Sequence, residues 1–257
     1  MKDNYTFEEL VEIMSKLRGP SGCPWDKEQT HRSLKRHLIE EAYETIEAID
    51  REDFTHLKEE LGDLLLQIVF HAQIASEEEK FTIEDVLEDI VSKLIRRHPH
   101  IFADVKVTSS REVIAHWEEI KEKESEKESL LADIPRSLPA LLYALKLQGK
   151  AALVGFDWTR KEDIINKLEE EVGELKAALA GKGDLEDEMG DLLFTVVNVA
   201  RHLDIDPESA LRRVANKFRR RFEHMEKEVR IKDKNLKDFS LREQDELWEE
   251  AKKKLEK

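Results

Sequence analysis

The chain has 257 residues, 39% of them charged, a net charge of −15 and a single cysteine, Cys23. This charge disfavours broad binding to nucleic acid polymers or acidic membranes, and one cysteine excludes an intrachain disulfide. No apolar run approaches the ~20 residues of a membrane-spanning helix, and the first residues lack the apolar stretch of a signal peptide. A cytoplasmic protein that does not bind membranes is therefore predicted.

Apolar residues recur at helical spacing along almost the whole chain, and strand-like alternation is absent from the sequence. An all-α fold is therefore predicted. In the first half, the predicted helices span residues 6–18, 30–50, 53–77, 82–97 and 109–127. In the second half, they span residues 137–151, 160–180, 183–203, 207–230 and 240–256.

One acidic pattern occurs twice, each time on two consecutive predicted helices. The second helix of each pair is apolar nearly all round, which is typical of a buried helix, and it leaves only one narrow polar stripe. The first copy is Glu40-Glu41-x-x-Glu44 followed by Glu60-x-x-Asp63, and its stripe continues to Gln67 and His71. The second copy is Glu170-Glu171-x-x-Glu174 followed by Glu188-x-x-Asp191, and its stripe continues to Thr195 and Asn198.

Antiparallel packing of each helix pair would bring four carboxylates together. Clustered carboxylates repel one another, so protons or divalent cations must occupy such a site. A site of oxygen ligands alone suits Mg²⁺, or Mn²⁺ in its place, better than Zn²⁺. The alternative is a pair of ordinary Glu-rich helices with solvated faces, and the second copy of the pattern favours the metal site over that alternative.

The repeat extends beyond the carboxylates, which indicates duplication of one helical unit. Two tandem helical-bundle domains are therefore predicted, at residues 1–120 and 137–257, joined by a charged linker at 121–136. The matching segments also contain a basic helix face and a later tryptophan. Lys93, Arg96, Arg97 and Trp117 in the first half match Lys217, Arg220, Arg221 and Trp248 in the second.

The basic residues of the second half are candidates for binding phosphate. Lys217, Arg220 and Arg221 have helical spacings that put them on one face. The alternative is a solvated face that pairs with nearby glutamates. Lys146 and Lys150 lie one turn apart, and either can reach a phosphate.

The tryptophans near the acidic helices allow two interpretations. Trp25 and Trp158 precede these helices, where each either stacks on a base or closes the end of the bundle. Trp248 is either part of the core or a wall against which a base stacks.

Five segments that flank the acidic motifs, together with those motifs, resemble the MazG family of nucleoside triphosphate pyrophosphohydrolases in its tandem two-domain form. The resemblance covers almost the whole chain. It implies the all-α NTP pyrophosphatase fold of the dimeric dUTPase-like type, usually as a homodimer. The flanking segments are Gly22-Cys-Pro-Trp-Asp26, Arg97-His-Pro-His-Ile-Phe-Ala-Asp104, Asp133-Ile-Pro-Arg-Ser-Leu-Pro139, Val154-Gly-Phe-Asp-Trp158 and Gly190-Asp-Leu-Leu-Phe194.

The resemblance also implies an activity and the residues that support it. The activity is Mg²⁺-dependent cleavage of a nucleoside triphosphate between the α and β phosphates, giving the monophosphate and pyrophosphate. Glu170 or Glu171 is expected to orient or deprotonate the attacking water, as Glu40 or Glu41 would in the first half. The expected metal ligands are Glu171, Glu174, Glu188 and Asp191 in the second half, and Glu41, Glu44, Glu60 and Asp63 in the first. The nucleotide contacts that the resemblance implies are Lys217, Arg220, Arg221 and Trp248, and Lys93, Arg96 and Arg97 are counterparts in the first half. Lys146, Lys150 and Trp158 are further expected contacts because of their positions in the sequence.

The two halves differ where specificity is expected, since one polar stripe carries Gln67 and His71 and the other carries Thr195 and Asn198. We expect the second half to be catalytic, and we expect that one half cleaves triphosphates while the other accepts a smaller phosphate such as pyrophosphate. A regulatory nucleotide-binding protein without turnover is the competing class, although two intact acidic quartets argue against it. A di-iron bundle needs Glu-x-x-His pairs, and neither quartet contains one.

Overall fold

A computed structural model describes residues 4–124, 129–231 and 233–255. The chain divides into two compact units, residues 1–126 and 127–257. The predicted end of the fifth helix and part of the predicted linker, residues 125–128, lie outside the described residues. The first unit contains α1 (Phe7–Arg18), α2 (Pro24–Glu28), α3 (His31–Asp50), α4 (Phe54–Glu77), α5 (Ile83–Arg97), α6 (Pro99–Phe102) and α7 (Ser110–Lys123). The second unit contains α8 (Ala140–Leu153), α9 (Lys161–Leu179), α10 (Leu185–His202), α11 (Pro207–Ile231), a 3₁₀ turn (Leu236–Asp238) and α12 (Leu241–Leu255).

The all-α prediction is confirmed, since no strand occurs among the residues that the structure describes. Each of the ten predicted helices corresponds to an observed one. The sequence did not reveal α2, α6 or the 3₁₀ turn, because segments of three to five residues are too short to show a hydrophobic period. Both α2 and α6 have proline in their first turn, where its missing N–H has no cost.

The two acidic helix pairs form helical hairpins, α3 with α4 and α9 with α10. Asp53 and Asp184 cap the second helix of each hairpin, because their carboxylates accept hydrogen bonds from backbone N–H groups of the first turn. The turn after α9 contains Gly181 and Gly183 at φ 84° and 124°, a region that favours glycine. A Cβ at Gly183 would lie 3.3 Å from Oε1 of Glu188, so this tight turn passes directly beside the acidic motif.

Each unit has its own apolar core. In the first unit, α1, α3 and α4 bury five side chains against one another, and partly buried residues of α1 cover them. In the second unit, α10 packs on α8 and α9, and α11 packs on α8 and α12. The first core consists of Met14, Leu34, Val69, Phe70 and Ile74. The buried apolar residues of the second unit include Ile164, Ala178, Val197, Met225, Val229 and Ala251.

Arg18 joins three elements of the first unit. Its side chain is only 6% exposed and makes a bidentate ion pair with Glu77, whose nearest oxygen lies 2.7 Å from the guanidinium. It also donates to the backbone carbonyls of Asp26 and Gln29 and lies 5.5 Å from the ring centre of Phe70. This arginine therefore links the end of α1 to α4 and to the loop that enters α3.

We expect Arg18→Met to lower the free energy of unfolding of the first unit by about 3 kcal/mol, because it removes the bidentate ion pair with Glu77 and the hydrogen bonds to two backbone carbonyls. Urea unfolding followed by amide hydrogen exchange in α1 and α4 would measure the loss. The control is Arg242→Met, which removes an exposed ion pair with Glu246 and should cost less than about 1 kcal/mol. Equal losses in the two variants would contradict the role of Arg18.

Candidate functional site

Each helical hairpin brings three carboxylates of its acidic motif together. In the first unit these are Glu41, Glu60 and Asp63, and one oxygen from each lies within 4.8 Å of the others. In the second unit Glu171, Glu174 and Glu188 meet within the same distance. In each hairpin, one helix contributes two carboxylates one turn apart and the other helix contributes one. The second helix contributes the two in the first unit, and the first helix contributes the two in the second unit.

The fourth member of each predicted quartet lies outside its cluster. In the first unit this is Glu44, which is exposed. In the second unit it is Asp191, which is also exposed but lines a cleft together with Glu171. The two hairpins thus present the same four residue positions in different arrangements.

Burial makes the first cluster electrostatically unfavourable without a cation. Glu60 is 6% exposed, and its Oε2 atom is buried without a hydrogen-bond partner among the described residues. Burial raises the pKa of Glu60, although His56, 3.3 Å from its Oε1 atom, opposes the shift. Burial and the neighbouring carboxylates, Asp63 foremost, also raise the pKa of Glu41. Such a cluster favours either bound protons or a bound cation.

A lysine partly compensates the second cluster. Glu171 is 4% exposed, and its Oε1 atom lies 2.8 Å from Nζ of Lys167. Hydrogen bonds to Glu170 and Glu171 raise the pKa of Lys167. The other oxygen of Glu171, Oε2, is buried and has no partner in the part of the chain that the structure describes. Burial and the charge of Glu171 raise the pKa of Glu174, so negative charge remains in excess.

Through Glu171, the second cluster opens onto a cleft of about 690 Å³ within the second unit, which we call the acidic cleft. Aromatic and aliphatic side chains line it together with a few convergent polar groups, as in many small-molecule sites. The lining comes from α8, α9, α10 and the loop between α8 and α9. Among the lining residues are Leu147, Gln148, Phe156, Trp158, Lys167, Glu171, Asp191, Phe194, Thr195, Asn198 and Arg201.

An ion pair holds the aromatic loop against α10. Asp157 accepts two hydrogen bonds from the guanidinium of Arg201 and lies 2.9 Å from Nε2 of His202. Against the desolvation that burial imposes, these bonds lower the pKa of Asp157. The loop therefore carries Phe156 and Trp158 to the edge of the cleft as an anchored segment.

The basic face of α11 lines a second cleft, of about 330 Å³, that shares no lining residue with the first. Lys217, Arg220 and Arg221 line it, and the guanidinium of Arg221 lies 5.3 Å from the ring centre of Trp248. Phe218 contacts the same indole, 5.0 Å between ring centres. Trp248 is therefore half-buried and packed by its neighbours. This arrangement is compatible both with a role in the core and with a role as a wall against which a base stacks.

One carboxylate partly neutralises the matching basic face of the first unit. Arg96 and Arg97 both bind the carboxylate of Glu124, and hydrogen bonds from Arg97 and Arg96 lower the pKa of Glu124 to about 2. Arg97 also lies 5.7 Å from the ring centre of Trp117, and Lys93 is half-buried. By contrast, no described residue forms an ion pair with Lys217 or Arg220.

Several predicted site residues lie away from the acidic clusters and the first cleft. Glu40 pairs with Arg36, which lowers its pKa, and Glu170 pairs with Lys167 at the surface. Lys146 and Lys150 lie on α8 but do not line the acidic cleft. Lys167, Gln148 and Arg201 line that cleft and were missed by sequence reasoning. The position of Lys167, four residues before Glu171, was a signal that could have revealed it.

Among the residues that the structure describes, no helix is long and apolar enough to span a membrane.

Comparison with known proteins gives consistent matches. The family model described as the MazG nucleotide pyrophosphohydrolase domain matches twice, at residues 29–102 and 159–226. The nucleoside triphosphate pyrophosphohydrolase/pyrophosphatase MazG of Thermotoga maritima is 51% identical over 248 residues, which cover 96% of this chain and 95% of that protein. The nucleoside triphosphate pyrophosphohydrolase of Escherichia coli K12 is 46% identical over 254 residues, which cover 96% and 97%. A crystal structure of a mazG-related protein from Thermotoga maritima matches 45% of this chain and 98% of its own, at 31% identity and a TM-score of 0.39.

Proposed function

Because this chain belongs to the MazG nucleotide pyrophosphohydrolase family, we propose that it hydrolyses nucleoside triphosphates to the monophosphate and pyrophosphate in the acidic cleft of the second unit. The observation that carries the proposal is the position of Glu171, which belongs to the carboxylate cluster and also lines the cleft. One side chain thereby joins a candidate cation site to a cavity of ligand size.

The cluster of the second unit fits a hard divalent cation. Its donors are carboxylate oxygens, which suit Mg²⁺ with Mn²⁺ as a substitute, and the unpartnered Oε2 of Glu171 is a buried acceptor that a cation would satisfy. Glu171, Glu174 and Glu188 would hold the ion, and Asp191 would complete the set from the same cleft. A bound cation would offset the phosphate charge and polarise the reacting phosphorus.

The chain itself supplies a base and a positive charge. Hydrolysis replaces the bond between the α-phosphorus and the α–β bridging oxygen with a bond to a water oxygen, and one water proton is released. Of the two predicted bases, Glu171 lines the cleft, so we assign to it the orientation of the water and the acceptance of that proton. Lys167 lies beside it and would stabilise the charge that develops on the pyrophosphate.

The basic cluster of α11 is the proposed site for additional contacts with the nucleotide. Lys217 and Arg220 carry positive charge without a described counter-ion, so they can pair with phosphate oxygens at little cost in lost ion pairs. Arg221 lines that cleft and lies against the indole of Trp248. In the first unit, Glu124 already occupies the matching arginines, which makes an anion there less favourable.

Product analysis tests the proposed activity. The protein would be incubated with a panel of ribo- and deoxyribonucleoside triphosphates and Mg²⁺, and the products separated. We expect monophosphate and pyrophosphate, because the attack is on the α-phosphorus. Diphosphate with orthophosphate would contradict α–β cleavage, and no product with Mg²⁺ still binding would favour the regulatory protein instead.

We also propose that the two units act on different phosphates, with pyrophosphate as a substrate of the first unit. The unlike cluster membership supports this division. We expect Glu60→Gln to reduce pyrophosphate hydrolysis and Glu188→Gln to reduce triphosphate hydrolysis, each by about 100-fold because a carboxylate ligand of the cluster is lost. Release of orthophosphate measures the hydrolysis of each substrate. In the triphosphate assay, added pyrophosphatase converts the pyrophosphate product to orthophosphate. Equal losses on the two substrates in each variant would rule the division out.

Finally, we propose a homodimer. The second unit presents many large apolar side chains to solvent on α10 and α11, and extensive exposed apolar surface marks interaction sites. Light scattering at micromolar concentration tests the proposal, since a monomer mass would exclude it. The exposed residues include Met189, Leu193, Val196, Leu211, Val214 and Phe218.

A further inference from the structure

The acidic cleft contains a glutamine whose orientation is determined by its surroundings. Gln148, on α8, is 7% exposed, and its Nε2 atom donates to the backbone carbonyl of Phe194 at 2.8 Å. A carbonyl can only accept, so the amide nitrogen must face it. The amide oxygen, Oε1, is buried and has no hydrogen-bond partner in the described parts of the chain. Gln148 therefore offers this cleft an acceptor that the protein leaves unsatisfied.

An asparagine on α10 offers the complementary group. The Oδ1 atom of Asn198 accepts from two nitrogens of Arg201, at 2.8 and 3.2 Å. A guanidinium can only donate, so the oxygen of Asn198 must face Arg201 and the amide nitrogen is left to act as a donor. Because Asp157 holds Arg201 from the other side, the orientation of Asn198 is determined before any ligand arrives.

The amide of Asn198 lies on the same helix as Asp191, the carboxylate of α10 that lines the cleft. Asn198 follows Asp191 by seven residues on one helix, which corresponds to about 10 Å along the axis. The side chain of Thr195 lies between them and lines the same cleft. A nucleotide whose phosphates bind at the carboxylates of this cleft would therefore place its base beside Gln148 and Asn198.

We infer that Gln148 and Asn198 read the base of the nucleotide, and this inference rests on the proposed function of the cleft. Oε1 of Gln148 accepts a hydrogen bond from an N–H group on the edge of the base. Nδ2 of Asn198 donates to an adjacent carbonyl oxygen or ring nitrogen. Arg201 is a positioning residue, since its bonds to Asp157 and Asn198 occupy all three of its guanidinium nitrogens.

The first unit does not repeat this pair. Counted from the first carboxylate of each apolar helix, the position of Asn198 corresponds to Phe70, which is part of the apolar core. A phenyl ring cannot donate a hydrogen bond, so the first unit has no counterpart of the Asn198 contact at this position.

Two nucleotides that differ by a single donor test the role of Gln148. ATP and purine riboside triphosphate differ only in the 6-amino group, so the ratio of their kcat/KM values isolates that hydrogen bond. We expect the wild-type full chain to prefer ATP by about 10-fold or more, and Gln148→Leu to lose most of this preference. The helical carbonyl of Phe194 keeps its partner within α10 in that variant. The control is Gln244→Leu, which also removes amide bonds to backbone carbonyls but lies on α12.

A second variant keeps the inference testable if Gln148→Leu does not fold. Asn198→Asp retains an acceptor for Arg201 and removes the donor, so we expect the ranking of the four ribonucleoside triphosphates by kcat/KM to change. A uniform decrease for every base would indicate only added negative charge and would overturn the inference, as would an unchanged ATP preference in a folded Gln148→Leu variant. Absence of wild-type turnover on every triphosphate would instead overturn the proposed function itself.

Discussion

Replacing Glu171 by glutamine is expected to lower kcat/KM for triphosphate hydrolysis by about 100- to 1,000-fold, or roughly 3–4 kcal/mol of transition-state stabilisation. Glu171 is the buried member of its cluster, has an unpartnered oxygen and lines the cleft. Glutamine keeps the size of the side chain but cannot accept the proton of the attacking water, and it binds a hard cation more weakly. Steady-state kinetics and calorimetric titration with Mn²⁺ would measure both effects.

The same change on the same helix provides the control. Glu169→Gln alters an exposed residue of α9 that belongs to neither the cluster nor the cleft. We expect it to leave kcat/KM and metal affinity within about twofold of wild type, because exposed charges contribute little. If Glu171→Gln retained both turnover and metal affinity, the assignment of the site to this cluster would be wrong.

Divalent cations are expected to stabilise the protein strongly at neutral pH and weakly near pH 5. In the metal-free protein, the pKa values of Glu41, Glu60 and Glu174 are raised by burial and, to a lesser degree, by neighbouring charges. The folded state then binds more protons than the unfolded state above pH 4.5. The contribution of these groups to the unfolding free energy is therefore lost as the pH rises through their folded pKa values. A cation that replaces the protons restores stability at the higher pH.

At a Mg²⁺ concentration 100 times its Kd, the gain is about 2.7 kcal/mol, which corresponds to several degrees in Tm. Thermal unfolding with and without Mg²⁺ at pH 5 and pH 7.5 would measure it, with K⁺ at equal ionic strength as the control for general screening. The gain should shrink as protons compete at the lower pH. A Mg²⁺ effect of the same size at both pH values, or one that K⁺ reproduces, would contradict occupation of the clusters by a cation.

The secondary structure and the repeat follow from local pattern. Helical spacing of apolar residues predicted the long helices, and the three-residue spacing in Glu-Glu-x-x-Glu and Glu-x-x-Asp placed each pair of carboxylates on one face. These properties depend only on residues a few positions apart, so they can be read directly from the chain. The short helices α2 and α6 were missed because they contain less than two turns.

The composition of each site depended on contacts between helices distant in sequence. The two hairpins have the same acidic motif but different turns, three residues at 51–53 and five at 180–184. Glu174 belongs to the second cluster, while its counterpart Glu44 is outside the first.

The sequence by itself thus determined the all-α fold, the duplication, the family resemblance and the candidate carboxylates. Only the tertiary structure decided which carboxylates meet, and that Gln148 and Arg201 join them in one cleft while Lys217 and its neighbours line another. The physical reason for this difference is that the periodic spacing of apolar residues is a local property of each helix. The offset and rotation of one helix against another are set by side-chain packing across the whole unit, which no short segment of sequence encodes.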